Sequence, residues 1–149
     1  MKFDYPNPDH EHAFMYLAHP ITCGRHEDGD SAELLYANGR GRCNAAVRLA
    51  NKLVRNGWHV YVPGWSGMSI ECYYTPAPDW IEHGLAWLMW MHIMNEIEGL
   101  PWEFCLGLAP GWEKSPGVAI ELDYARNNDL PVYIVMEDGK TVPYKGGDA

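Results

Sequence analysis

The fold is decided by the run from residue 104 to residue 125, Phe104-Cys105-Leu106-Gly107-Leu108-Ala109-Pro110-Gly111-Trp112-Glu113-Lys114-Ser115-Pro116-Gly117-Val118-Ala119-Ile120-Glu121-Leu122-Asp123-Tyr124-Ala125. An apolar run, a glycine-rich turn and a helix start follow one another, an order that α/β proteins use to hold an anionic ligand. Ser115 is a natural N-cap, Pro116 suits the first helical position, and Gly117 lets a ligand approach the backbone. The run therefore predicts a buried strand, a ligand-binding turn and a helix.

Strand-like and helix-like segments alternate on both sides of this run. The pattern predicts strands at 13–18, 58–62, 104–109 and 131–136 and helices over 42–55, 79–97 and 116–127. It also predicts a loop-like stretch over 22–41, which can include a short helix around 31–36, and a short extended piece at 141–144. Asp79 is predicted to cap the second helix, which is apolar nearly all round and is expected to be well buried. Such βα units predict an α/β fold: a flavodoxin- or Rossmann-like three-layer sandwich with a four- to five-stranded, mainly parallel sheet. Residues 1–149 are expected to form a single domain, with 1–12 a loose lead-in.

Composition limits the partners. The net charge of −9 argues against a nucleic-acid polymer. The sequence holds no apolar run of the roughly 20 residues that a membrane span needs, and its N-terminus lacks the apolar core of a signal peptide. The four cysteines are scattered without a C-x-x-C pair. These features predict a cytoplasmic protein with reduced thiols, no membrane partner and a small-molecule ligand.

Glu121 is the first candidate for chemistry. It lies one and a half turns into the predicted helix, at the border of the buried stripe formed by Val118, Leu122 and Ala125. No basic residue lies one turn away to pair with it. At this edge of an open α/β sheet the side chain faces the ligand crevice, where a carboxylate can act as nucleophile or general base. The alternative is an ordinary solvated glutamate.

Three further candidates lie on the same edge of the sheet. Ser115 either caps the helix only or also docks a phosphate or hydroxyl on the same amides. The loop Ile21-Thr22-Cys23-Gly24-Arg25 follows the first strand, and Arg25 either clamps an anion or is an ordinary surface arginine. Tyr16 is either a core tyrosine or reaches the crevice with its hydroxyl.

Other chemistries find little support in the sequence. The seven histidines are dispersed without zinc-site spacing, so no metal is expected. No dinucleotide, Walker or serine-hydrolase motif is present, and no cofactor is expected. One of the acids Glu96, Glu98 and Glu103 can protonate a leaving group if burial raises its pKa. The alternative for each is a solvated carboxylate.

Two motifs resemble those of a known family. Tyr16-Leu17-Ala18-His19-Pro20-Ile21 is similar to the Tyr-Leu-Ala-Gly-Pro-Ile opening of the nucleoside 2-deoxyribosyltransferase-like superfamily, which includes the deoxynucleoside 5'-monophosphate N-hydrolases and many small, often phage-encoded, proteins. Residues 110–115 with Gly117 and 121–125 resemble its second motif, and Leu130-Pro131-Val132-Tyr133 resembles the following strand. The resemblance covers roughly residues 13–136.

The resemblance implies roles for particular residues. Glu121 falls on the nucleophilic glutamate that attacks the anomeric carbon, Tyr16 on the tyrosine that positions it, and Glu96 near an aspartate that assists departure of the base. Ser115 falls on the position that contacts the 5' end of the sugar, where the transferases carry aspartate and the hydrolases serine. A hydroxyl accepts a phosphate that a carboxylate would repel, so Ser115 favours a nucleotide substrate.

The chain departs from the family pattern in two places. His19 replaces a glycine beside the crevice, and Glu96 and Glu103 stand near positions where the family carries aspartates. A longer acid shifts its carboxylate by about 1.5 Å, which alters base choice or proton transfer.

The function expected from these residues is cleavage of the N-glycosidic bond of a (deoxy)nucleoside 5'-monophosphate. Ser115, Gly117 and the Gly24-Arg25 loop would hold the phosphate, and Trp65, Trp112 or Tyr124 would pack on the base. The alternatives are a nucleoside 2-deoxyribosyltransferase, a non-catalytic nucleotide-binding protein, and an enzyme that cleaves NAD or ADP-ribose. The resemblance also implies a homodimer or larger homo-oligomer, for which the aromatic helix over 80–94 is a candidate interface, although a monomer core explains that helix equally well.

Overall fold

The computed structural model describes residues 13–20, 32–63, 77–97 and 103–146. Its elements are β1 (Ala13–Ala18), α1 (Ala32–Arg55), β2 (His59–Tyr61), α2 (Ala77–Ile97), β3 (Glu103–Leu108), α3 (Pro116–Asn127), β4 (Val132–Val135) and β5 (Thr141–Pro143). A 3-10 turn, Trp112–Lys114, joins β3 to α3. The predicted lead-in at 1–12 lies outside the described residues.

The five strands form one sheet in the order β2-β1-β3-β4-β5. β1 pairs in parallel with β2 and β3, and β3 pairs in parallel with β4, while β5 is antiparallel to β4. The predicted α/β fold with a mainly parallel sheet is confirmed, and the strand order is that of flavodoxin-like proteins. The connection after β1 leads to β2 on one side of the sheet, and the connection after β3 leads to β4 on the other side. In such a sheet the ligand crevice lies at the carboxyl ends of the two strands from which the connections diverge, here β1 and β3.

The core has two halves, one on each face of the sheet, because side chains alternate along each strand. Met15, Leu17 and Cys105 face α1 and pack with Ala46, Leu49 and Leu53 of that helix. Tyr16, Leu106 and Leu108 lie on the other face, against Leu88 of α2 and Val118 and Leu122 of α3. This arrangement gives the expected three layers, with α1 on one side and α2 and α3 on the other.

Two predicted helix starts are wrong. α1 begins at Ala32 and not at residue 42, so residues 32–41 of the stretch predicted to be loop-like are helical, beyond the short helix predicted around 31–36. The glycines at 39 and 41 each cost about 1 kcal/mol in a helix, but the surrounding Ala, Leu, Glu and Arg residues are strong helix formers. α2 begins at Ala77, which places Asp79 within its first turn and not at the cap. An acid in the first turn still interacts favourably with the helix dipole.

The expectation that α2 is buried on all sides is also wrong. Leu88 is fully buried, yet Trp90 is 55% exposed and Ile97 71% exposed. Trp87, Met89 and Ile93 are exposed on the same side of the helix. A helix that packs on a sheet can bury only the side that faces the sheet, and no described element covers the other side.

Gly107 marks a close approach between β3 and β1. A Cβ added to Gly107 would overlap Met15 Sδ and lie 2.9 Å from Met15 Cγ. Met15 is fully buried, so its side chain has little room to move. We expect Gly107→Ala to lower the free energy of unfolding by about 1–3 kcal/mol through overpacking, measured by urea denaturation.

The matched control for this substitution is Gly41→Ala in α1, where an added Cβ meets nothing within 4 Å. This change should raise the free energy of unfolding by about 0.5–1 kcal/mol, because alanine loses less backbone entropy in a helix. Equal effects at the two glycines would contradict the packing described at Gly107.

Candidate functional site

The loops after β1 and β3 meet at the carboxyl edge of the sheet. The Ala109 amide donates to the Ala18 carbonyl at 2.9 Å, which extends the pairing beyond the strands. Gly111 has a φ of 87°, a conformation that favours glycine, and a Cβ on it would lie 3.5 Å from Pro20 Cγ. The two loops are therefore in contact, and the crevice opens to either side of them.

The turn into α3 has the capping that the sequence predicts. Ser115 is buried and is the N-cap, Pro116 follows at the first helical position, and Ser115 Oγ accepts from the Val118 amide at 3.4 Å. The Ser115 amide donates to the Trp112 carbonyl at 3.1 Å, and proline has no N–H. Among the described amides from Ser115 to Ala119, that of Gly117 is the one that no residue engages. The turn can therefore give an anion the helix dipole and a single amide, less than the predicted cradle.

Glu121 lies in α3 beside the buried stripe of Val118, Leu122 and Ala125, as predicted. The residue as a whole keeps some exposed surface, but its Oε2 atom is enclosed and has no hydrogen-bond partner among the described residues. Burial raises the pKa of the Glu121 carboxyl to about 8. At neutral pH the folded protein therefore holds Glu121 mainly as the neutral acid, a state that is unusual for a glutamate and typical of functional sites.

Tyr16 of β1 lies close to Glu121. Tyr16 is fully buried, and burial is the first cause of its raised pKa; the nearby Glu121 charge is the second and Tyr61 the third. The structure thus brings together the two residues to which the family resemblance assigns the roles of nucleophile and positioning tyrosine; the roles themselves stay predictions. Their proximity follows from the fold, because Tyr16 faces the side of the sheet that α3 covers.

An aromatic row extends from Tyr16 towards solvent. The ring centroids of Tyr16 and Tyr61 are 5.7 Å apart, those of Tyr61 and Trp87 6.5 Å, and those of Trp87 and Trp90 5.7 Å. Tyr61 is partly exposed and ends β2, so it lies at the same carboxyl edge as the crevice. The row offers flat apolar surface near Glu121.

Glu96 belongs to a different cluster. His92 of α2 is buried, bonds Tyr124 Oη through Nδ1 at 2.8 Å, and bonds Glu96 Oε1 through Nε2 at 2.9 Å. The His92 ring also stacks on Phe104 at the start of β3. Because α2 ends at Ile97 just before β3 begins, Glu96 lies at the amino edge of the sheet, opposite Ser115. Its role as an acid beside the leaving base stays a prediction without support from its position.

The structure describes only some of the remaining residues that were predicted to contact the substrate. His19 is buried, its Nδ1 lies 3.3 Å from the Pro20 carbonyl, and burial lowers its pKa to about 4, so the ring is neutral at pH 7. Trp112 is half-buried and packs edge-on against Tyr144 at 5.7 Å. Gly24, Arg25 and Trp65 lie outside the described residues.

A cleft of about 570 Å³ lies on the other side of the two loops, against α1. We call it the α1 cleft; its lining consists of His19, Pro20, Arg42, Ala45, Ala46, Arg48, Leu49, Lys52, Ala109, Pro110, Gly111 and Glu137. The sequence interpretation missed its three basic residues. Their signal is faint: basic and small residues recur along α1, but nothing local shows that this side of the helix meets the loops after β1 and β3.

Comparisons with protein-family models, with curated proteins and with solved structures find no match to this chain. Within the described segments, no helix is long and apolar enough to cross a membrane. The functional assignment therefore depends on the motifs and on the geometry of the crevice.

Proposed function

We propose that the protein cleaves the N-glycosidic bond of a (deoxy)nucleoside 5'-monophosphate, with Glu121 as the nucleophile. The observation that carries the proposal is the enclosed Glu121 carboxyl beside Tyr16 at the carboxyl edge of the sheet. Burying an acid without a hydrogen-bond partner costs free energy, and such a cost is usually tolerated where the acid has a chemical role.

The reaction has two steps. A Glu121 carboxylate oxygen forms a bond to C1' of the sugar as the bond from C1' to the base nitrogen breaks, and the electron pair leaves with the base, which takes a proton from water. A water molecule then attacks C1', releases the sugar phosphate and restores the carboxylate. Two inversions give overall retention, as in retaining glycosidases.

The neighbouring residues support these steps. Tyr16 positions the Glu121 carboxyl, and Tyr61 offers its ring face to the departing base, since stacking on an aromatic ring is favourable for any base. Ser115 and the Gly117 amide contact the sugar at the start of α3.

A screen of nucleoside 5'-monophosphates for released base, by chromatography, tests the proposal. Free base and sugar phosphate are expected from at least one nucleotide, with the corresponding nucleoside a poorer substrate. A second arm supplies free base together with nucleoside, and exchanged product there would indicate a deoxyribosyltransferase. Thermal stabilisation by nucleotide without any product would indicate the non-catalytic binding protein. The position of Glu96 favours that alternative, because Glu96 lies at the edge of the sheet opposite the crevice.

The raised pKa of Glu121 predicts the pH profile. Only the ionised carboxylate attacks C1', and burial holds the pKa near 8. We expect kcat/KM for base release to rise about tenfold per pH unit between pH 6 and 7 and to level off above pH 8. A profile that falls as pH rises towards 8 would show that Glu121 works as a general acid.

A further inference from the structure

The α1 cleft combines an apolar floor with a basic rim. Its floor is formed by small or apolar side chains, among them Ala45, Ala46 and Leu49 of α1 and Ala109 of the loop after β3. Its volume of about 570 Å³ is in the range of pockets that hold small-molecule ligands. The floor can therefore cover the flat or apolar part of a ligand whose charged part meets the rim.

The charge of the cleft opposes that of the whole chain. Arg42, Arg48 and Lys52 line it together with a single acid, Glu137. The chain as a whole has 11 Lys and Arg residues against 20 Asp and Glu residues. A local excess of basic groups in an acidic protein attracts a small anion, while the acidic remainder repels an extended polyanion.

Two of the basic residues are placed to bind an anion at the rim. Lys52 is exposed, and its Nζ donates to the Glu137 carbonyl at 2.7 Å, which fixes the ammonium group at the cleft and leaves it two further donors. Arg48 lies one turn earlier on α1 and is also exposed. Its guanidinium can bind a phosphate with two parallel hydrogen bonds.

The turn into α3 is a weaker phosphate site than the α1 cleft. Among the described amides from Ser115 to Ala119, those of Ser115, Val118 and Ala119 are used by the turn itself, and that of Gly117 alone is unengaged. A dianionic phosphate takes several charge-assisted hydrogen bonds. Arginine and lysine supply these, and a single amide does not.

We propose that the α1 cleft binds the phosphate end of the nucleotide, with Arg48 and Lys52 as the residues that hold the phosphate. The identity of the ligand as a nucleotide rests on the proposed function; the affinity of the cleft for phosphoryl groups does not. The phosphate then lies on the α1 side of the two loops, and the turn at Ser115 contacts the sugar without holding the phosphate.

Calorimetric titration of the full chain tests this proposal, with inorganic pyrophosphate, deoxyadenosine 5'-monophosphate and deoxyadenosine as probes. Arg48→Gln and Lys52→Met are each expected to weaken pyrophosphate and nucleotide binding about tenfold, and the double variant more than either. Binding of deoxyadenosine should change less than about twofold, and the affinity of the wild type for pyrophosphate should fall with added salt. Arg55→Gln is the matched control, since Arg55 is exposed on α1 but does not line the cleft.

The outcomes separate this inference from the proposed function. Pyrophosphate affinity that is equal in Arg48→Gln, Lys52→Met and Arg55→Gln would overturn the inference, even if the wild type releases base. Affinity that depends on Arg48 and Lys52 while no nucleotide yields base would uphold the phosphate site and refute the glycosidase. Absence of pyrophosphate and nucleotide binding by the wild type would overturn the inference outright.

Discussion

Glu121→Gln is expected to make the protein more stable, and increasingly so as the pH rises from 5 to 8. The unfolded chain releases the Glu121 proton near its ordinary pKa of 4.5, whereas the folded chain keeps it to about pH 8. Between these values the folded state binds one more proton, so the stability of the wild type falls as pH rises. The free energy of unfolding of the variant should gain about 1.4 kcal/mol over the wild type for each pH unit in this window.

Urea denaturation of both proteins at a series of pH values measures this difference, in which the titration of all other groups cancels. The control is Glu113→Gln, which removes an exposed carboxyl from the 3-10 turn before α3. Its free energy of unfolding should follow that of the wild type within about 0.5 kcal/mol. A constant difference between Glu121→Gln and the wild type across the window would show that Glu121 is not buried as a neutral acid.

The same substitution is expected to abolish base release. Glutamine closely matches the shape of the neutral glutamic acid that the folded protein holds at pH 7, but its amide cannot form the ester to C1'. We expect kcat for base release to fall at least about 10³-fold at pH 8, where about half of the wild-type carboxyl is ionised.

Glu121→Gln is expected to bind the nucleotide although it no longer releases base. Glu121→Gln should still gain thermal stability from the nucleotide, since Ser115 and the α1 cleft are unchanged. Glu113→Gln should release base at the rate of the wild type. Turnover by Glu121→Gln within a few-fold of the wild type would remove Glu121 from the chemistry and leave its burial unexplained.

The sequence predicts the α3 end of the site well because its signals are local. Ser115 and Pro116 mark the first turn of α3, and the predicted bounds of that helix are those of the structure. The absence of a basic residue one turn from Glu121 is also visible in the sequence. The enclosure of its Oε2 is not visible there, because it depends on tertiary packing, which brings Tyr16 of β1 close to Glu121.

The rest of the site depends on tertiary packing. Glu96 is the nearest match to the family's acid by position along the chain, but α2 carries it to the amino edge and His92 engages it there. His92 is recognisable in the sequence as a polar residue within an apolar helix, and such a residue often has a buried hydrogen-bond partner. Arg48 and Lys52 gave only a faint signal, since helix periodicity cannot show which loops a helix side will meet.

Detection of a covalent sugar on Glu121 tests the central claim most directly. Wild-type protein is mixed with saturating nucleotide, quenched with acid during turnover and analysed by intact mass and peptide mapping. We predict a fraction of the chain heavier by the mass of the sugar phosphate, with the added mass on the peptide that contains Glu121 and absent from Glu121→Gln. Release of base by a chain whose mass never changes, or an adduct on another residue, would contradict Glu121 as the nucleophile.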